Sequence, residues 1–333
     1  MYALIYKDPI SKAKDQPLRV KTQDDDTQES DVKFFIPPIL DYADFRQSSC
    51  KKFWSITFFK GSAFEQTLGV NIHDEEPEVS HCLAKAAWIY SERSISEGSS
   101  DLLQRASQFL RKSATLSGET VNHLTRRSSL LTDRNGVVFF TEQPTKDARF
   151  FGEDRFKRIV LELCLALAYR NVMLDFMQQL TRTIKSKQTE QTLTLYESIL
   201  YFNAGDYFRY PVNLENHELF PAWKHIAEHF KLQELNCELT EQLSHVALLL
   251  QKYRERIRHE QEESKKEALA KAEKSRREQE IKTERAFNRR SARLAFALGV
   301  LSLLSLLALV ELTPEHFQAA YQNWLEPLIS KSE

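Results

Sequence analysis

His225-Ile226-Ala227-Glu228-His229 sets two imidazoles four residues apart with a carboxylate between them. This is the H-x-x-E-H spacing in which helical histidines bind zinc and the glutamate acts as base. On a helical wheel the three polar residues lie opposite Trp223 and Phe230, which is also how an ordinary amphipathic helix distributes its side chains. The sequence nominates no third ligand. His225 and His229 are therefore bare metal candidates, and no catalytic residue or cofactor is assigned.

His73-Asp74-Glu75-Glu76 and His81-Cys82 contain ligand types that hydrated loop acids and a buried thiol explain equally well. Asp24-Asp25-Asp26 belongs to a polar stretch that reads as a flexible loop. None of the eight glycines forms a dinucleotide, Walker A or G-x-S-x-G loop, so the common phosphate-cradle and hydrolase signatures are absent and an enzyme is not expected. Cys50, Cys82, Cys164 and Cys237 are widely spaced without a C-x-x-C pair, which predicts buried free thiols.

The strongest single feature is Leu294 to Val310, an uncharged run that stops at Glu311. Its length and all-round apolarity predict a transmembrane helix over 294–312. Lys282, Arg285, Arg289, Arg290 and Arg293 precede it, whereas Lys331 is the only basic residue after it. The positive-inside rule then predicts an inner-membrane protein with its N-terminus cytoplasmic and its C-terminus periplasmic. The first residues suggest no cleaved signal peptide. Within the run, Ala295, Gly299 and Ser302, together with Ser305, form a small-residue face suited to self-association. Beyond it, Phe317, Tyr321 and Trp324 fall on one face of an interfacial amphipathic helix over 313–333.

The formal net charge is −1, so the whole chain carries no bias toward nucleic acid. Between Gln251 and Arg293, however, fifteen Lys or Arg face nine Glu. Any basic contact surface lies there, with lipid as one partner and nucleic acid not excluded.

Strand-like segments occur at Tyr2–Tyr6, Phe34–Leu40, Phe53–Phe59 and Thr67–Ile72. Helical patterns follow at 79–93, 101–113 and 119–132, with a strand at 137–141 after Asn135-Gly136. Glu153–Lys185 reads as a core helix, and Thr189–Asn203 and Phe220–Lys231 as two more. Leu239, Leu243, Val246 and Leu250 make an apolar stripe, after which Glu-to-basic pairs four residues apart support a solvated helix. No proline interrupts Leu235 to Thr313.

The expected fold is α+β. A cytoplasmic domain with a small mixed sheet and a disordered loop at 11–31 occupies 1–150. A helical bundle follows over 151–258, then a charged helix over 259–293, the span and the interfacial helix. The order of parts resembles the CorA-like membrane proteins, most closely across Tyr196-Glu197-Ser198-Ile199-Leu200-Tyr201-Phe202, Asp206-Tyr207-Phe208, Leu219-Phe220 and the helix from Leu235. The resemblance covers at most the C-terminal half, and the family's Gly-Met-Asn signature and second span are missing. It implies a homo-oligomer whose long helices form a funnel, and divergent relatives include effectors of antiviral defence. Two functions are expected in consequence. The first is a cytoplasmic sensor, receiving a ligand or protein partner, coupled to a channel-like or membrane-perturbing span. The second is an anchored scaffold or nucleic-acid-associated subunit.

Overall fold

The computed structural model describes residues 1–7, 16–21, 29–78, 81–91, 100–113, 121–142, 148–309 and 318–319. They divide into two units, Met1–Gln251 and Lys252–Glu333.

The first unit is built on a nine-stranded sheet, not a small one. Strand β1 (Tyr2–Tyr6) is central, antiparallel to β7 (Gln66–His73) on one side and to β8 (Ala84–Ser91) on the other. Beyond β7 lie β6 (Phe53–Phe58), β5 (Asp44–Gln47) and the short edge strand β2 (Gln16–Pro17). Beyond β8 the sheet continues through β11 (Gly136–Glu142), β10 (Ser128–Asp133) and β9 (Val121–Thr125), with β8 and β11 parallel. Two further strands, β3 (Arg19–Lys21) and β4 (Glu29–Asp31), pair separately. Strands thus occupy part of the segment expected to be a disordered loop.

Alternation in the strands sorts their side chains to two faces. Ala3, Ile5, Trp54, Ile56, Leu68, Val70, Leu130 and Phe139 join the larger core. Leu4, Ala87, Leu131, Val138 and Phe140 pack on the other face beneath α2 (Ser100–Arg111). The larger core is closed by α3 (Ala148–Lys185), α4 (Thr189–Tyr201), α5 (Leu219–His229) and the first turns of α6 (Leu232–Leu309). Helix α3 is fully buried from Ile159 to Ala166, since sheet and helices surround it. That accounts for apolar residues on every face of it.

Three local expectations are corrected. The stretch 79–93 contains β8 where a helix was expected, and its buried Ala84, Ala86 and Ala87 lie on a strand flanked by β1 and β11. Tertiary packing there overrides alanine's helical preference. The stretch 119–132 contains β9 and most of β10, and Leu130 and Leu131 face the two separate cores. Pro37-Pro38 opens a short helix, α1 (Pro37–Asp41), in keeping with proline's fit at a first helical turn.

The second unit holds the rest of α6, a helix of 78 residues in all. The α6 stripe Leu239, Leu243, Val246 and Leu250 belongs to the first unit and is buried in that unit's own core, whereas from Arg258 onward every described side chain is exposed. The expected transmembrane helix is overturned here: among the described residues no helix is long and apolar enough to cross a membrane. From Leu294 to Leu309 the uncharged helix has sixteen residues. They rise about 24 Å, short of the roughly 30 Å of a hydrocarbon core. The single-pass membrane assignment and the inner-membrane placement with a periplasmic C-terminus lose the element on which they rested. Phe317, Tyr321 and Trp324 lie outside the described residues, as does almost all of the expected interfacial helix.

Candidate functional site

After α4 the chain enters a π-helical turn, Phe202–Asp206. Phe202 is fully buried, its ring 5.7 Å from Phe59, 5.2 Å from Phe64 and 5.6 Å from Phe176. Beside it the buried Tyr169 hydroxyl donates to the Asp206 carbonyl (2.9 Å) and accepts from the Phe208 amide (3.1 Å). The Tyr207 amide donates back to the Phe202 carbonyl (2.9 Å), and the Trp223 indole donates to the Arg209 carbonyl (2.9 Å). Four bonds thus hold the backbone from Asp206 to Arg209. Wide turns of this kind recur where a chain presents functional side chains.

What the pinned segment presents is a cleft in two lobes, with Tyr207, Arg209 and Gln233 lining both. The first, of about 260 Å³, adds Tyr210, Lys224, Glu228 and Glu234. The second, of about 590 Å³, adds Asn236, Cys237, Thr240, Glu241 and Ser244. Burial pushes the Tyr207 phenol up to about 12, so it stays a neutral hydroxyl. The Arg209 guanidinium lies over the Tyr210 ring, 5.3 Å from its centroid. It has no carboxylate partner among the described residues. Lys224, by contrast, stands 3.9 Å from Glu228.

A second cluster is interior. Glu162 of α3 has no exposed surface, and neither of its carboxylate oxygens has a hydrogen-bond partner among the described residues. Burial, and then the charge of Glu218, raise its pKa well above the ordinary carboxylate value. Glu218, which precedes α5, is 4% exposed; it accepts from Ser128 Oγ (2.6 Å) and lies 3.4 Å from Arg155 Nε. A buried acid pushed toward its protonated form therefore sits near Glu218, whose side chain is already partnered.

The H-x-x-E-H residues occupy α5 but do not form a closed set. His225 Nδ1 is 3.9 Å from Glu228 Oε2, and Glu228 is exposed. Burial lowers the pKa of both His225 and His229, with Asp133 and Arg111 acting on His229 as opposing charges. Both imidazoles are therefore neutral at neutral pH. No group of three or more His, Cys, Asp or Glu able to hold a metal exists among the described residues. His73 is half-buried with Nε2 unpartnered, and neighbouring Asp74 pairs with Lys52 at 3.0 Å. The thiols are free but not uniformly buried: Cys164 is buried, whereas Cys50 and Cys237 are exposed.

In the second unit, Lys282, Arg285, Arg289, Arg290 and Arg293 line one shallow basic surface. At 100° per residue they span roughly 140° of the helix. The next turns expose Leu294, Phe296, Leu298, Leu301, Leu303 and Leu304, with Phe296 at 75%. On the small-residue face, Ser302 Oγ donates to the Gly299 carbonyl (3.0 Å) and Ser305 Oγ to the Ser302 carbonyl (2.8 Å). A Cβ on Gly299 would meet nothing within 4 Å. Ala295, Gly299 and Ser302 thus form a smooth strip whose hydroxyls are already bonded.

Comparison with protein-family models, with curated proteins and with solved structures found no match. The likeness to CorA-like proteins therefore rests only on the residues quoted for it.

Sequence reasoning missed Tyr169, Arg209 and Glu218. A visible signal existed for Glu162, a lone acid within Ile159-Val160-Leu161-Glu162-Leu163-Cys164-Leu165.

Proposed function

We propose that this chain is a self-associating transmitter: the unit Met1–Gln251 receives a ligand or partner, and the far end of α6 joins copies of the chain. The observation that supports this reading is the exposed apolar surface from Leu294 to Leu306. Covering one leucine or phenylalanine is worth roughly 1.5–3 kcal/mol, and a contiguous apolar patch of this kind marks an interaction surface. The strip Ala295-Gly299-Ser302 lets a second helix approach closely without breaking any hydrogen bond of the serines.

Association also draws together the basic residues just before that strip. Like charges oppose it, and salt screens them.

Sedimentation equilibrium of the full chain tests the proposal. Wild type is expected to form a defined oligomer that tightens as salt rises, and Gly299→Leu to weaken it at least tenfold. A monomer at micromolar concentration, or association unchanged by Gly299→Leu, would overturn it. Recovery on lipid vesicles by a chain that remains monomeric in buffer would assign the apolar surface to lipid instead.

A further inference from the structure

The two-lobed cleft around Arg209 lies wholly within the first unit. We infer that it binds a small monocarboxylate: the carboxylate on the Arg209 guanidinium, an uncharged body of ring or amide size in the lobe bounded by Gln233, Asn236 and Ser244.

Arg209 is the cation that lines both lobes of the cleft. A guanidinium is a planar fork of donors that matches the two oxygens of a carboxylate, and it remains charged at any ordinary pH. Exposed arginines with their own acid are common, but Arg209 has none among the described residues, and its guanidinium lies over the Tyr210 ring. The backbone that carries it is pinned through Tyr169 and Trp223. Part of the ordering that binding requires is therefore already done.

Charge around the fork limits the ligand. Glu234 borders one lobe and Glu241 the other, and Glu228 is 3.9 Å from Lys224. These acids disfavour a polyanion such as a nucleoside polyphosphate, because every charge beyond the first meets repulsion without a free cation to offset it. The rest of the larger lobe is neutral. Asn236 is already engaged, accepting at Oδ1 from Thr240 (3.1 Å) and bonding the Tyr207 hydroxyl, whereas the Gln233 amide has no partner among the described residues. A carbonyl or amide on the ligand's body would meet that amide, and the Tyr207 ring, which lines the same lobe, would cover an apolar part of it.

The inference supplies a ligand class for the receiving unit proposed above, yet its test reads binding and not association. Either can therefore fail alone. Saturation-transfer NMR on the full chain would use benzoate, phenylacetate, hippurate and N-acetylphenylalanine, each beside its primary amide, with AMP as the phosphate arm. At least one carboxylate is expected to bind ten times more tightly than its amide and than AMP. Arg209→Gln should weaken it tenfold or more, and Arg209→Lys by a smaller factor, since the charge stays but the fork is lost. An unchanged far-ultraviolet circular dichroism spectrum would show that the variants are folded. The inference is overturned if no carboxylate in the set binds at millimolar concentration, if the amides or AMP bind equally well, or if Arg209→Gln leaves affinity unchanged.

Discussion

Replacing Glu162 should make the protein more stable at neutral pH, and the gain should depend on pH in a defined direction. The side chain is wholly buried, its two oxygens have no hydrogen-bond partner among the described residues, and the carboxylate of Glu218 acts on it from the start of α5. Arg155 lies against Glu218, so that cation is already engaged. Folding therefore favours the protonated form of Glu162, and unfolding restores an ordinary carboxyl group. Below the unfolded pKa both states hold the proton and no penalty exists. As pH rises past that value only the folded state keeps it, and stability falls by up to about 1.4 kcal/mol per pH unit until the raised folded pKa is reached. Glu162→Gln mimics the neutral acid and removes this slope. It should match wild type near pH 4 and exceed it at pH 7, with the difference growing across the interval. Glu162→Leu also removes the two unpartnered oxygens and should add about 1–3 kcal/mol at every pH. The assay is urea unfolding followed by tryptophan fluorescence between pH 4 and 8. If Glu162→Gln keeps the wild-type slope, or loses more than about 2 kcal/mol at pH 7, the buried group is an ionised, partnered carboxylate and the reasoning fails.

Two other substitutions probe the frame of the site. Tyr169→Phe deletes the hydroxyl that serves the Asp206 carbonyl and the Phe208 amide, and should cost about 1–3 kcal/mol in urea unfolding while weakening carboxylate binding at Arg209. Gly136 has φ +145°, and a Cβ there would lie 1.7 Å from the Lys85 carbonyl oxygen. Gly136→Ala should therefore force β8 and β11 apart at their first pair and cost at least about 3 kcal/mol, read as a lowered midpoint of thermal unfolding.

How far the sequence could be read depended on whether a residue's neighbours were close along the chain. The stripe Leu239, Leu243, Val246 and Leu250 follows the helical repeat, and it packs as that repeat requires. The Asn135-Gly136 pair marked a turn, and β10 and β11 meet there with Asp133 opposite Gly136. The alanines of β8 carried no such local signal. Their conformation is imposed by β1, far earlier in the chain, and by β11, far later. The same holds for the cleft. Arg209 reads as an ordinary polar residue until Tyr169, 39 positions from Phe208, is seen to bond the segment beside it. Glu162 was legible as an anomaly in an apolar run, but its relation to Glu218 depends on how α5 docks against α3.

Helix α6 joins the two proposals through continuity of one element. Gln233, Asn236, Thr240 and Ser244 line the cleft and belong to its first turns, while Leu239, Leu243 and Val246, interleaved with them, fix those turns in the core. A ligand held by Arg209 and Gln233 thus bears on residues that share a backbone with the apolar end. That continuity alone transmits nothing. A carboxylate alters association only if it binds the assembled chain more tightly than the free one; a tenfold difference corresponds to about 1.4 kcal/mol, and by reciprocity assembly would tighten carboxylate binding by the same factor. The long uncharged run drew attention first to what it could cross, yet its exposed side chains demand only that something cover them. A second copy of the chain meets that demand, and it also supplies the two states, free and assembled, that coupling to the cleft requires.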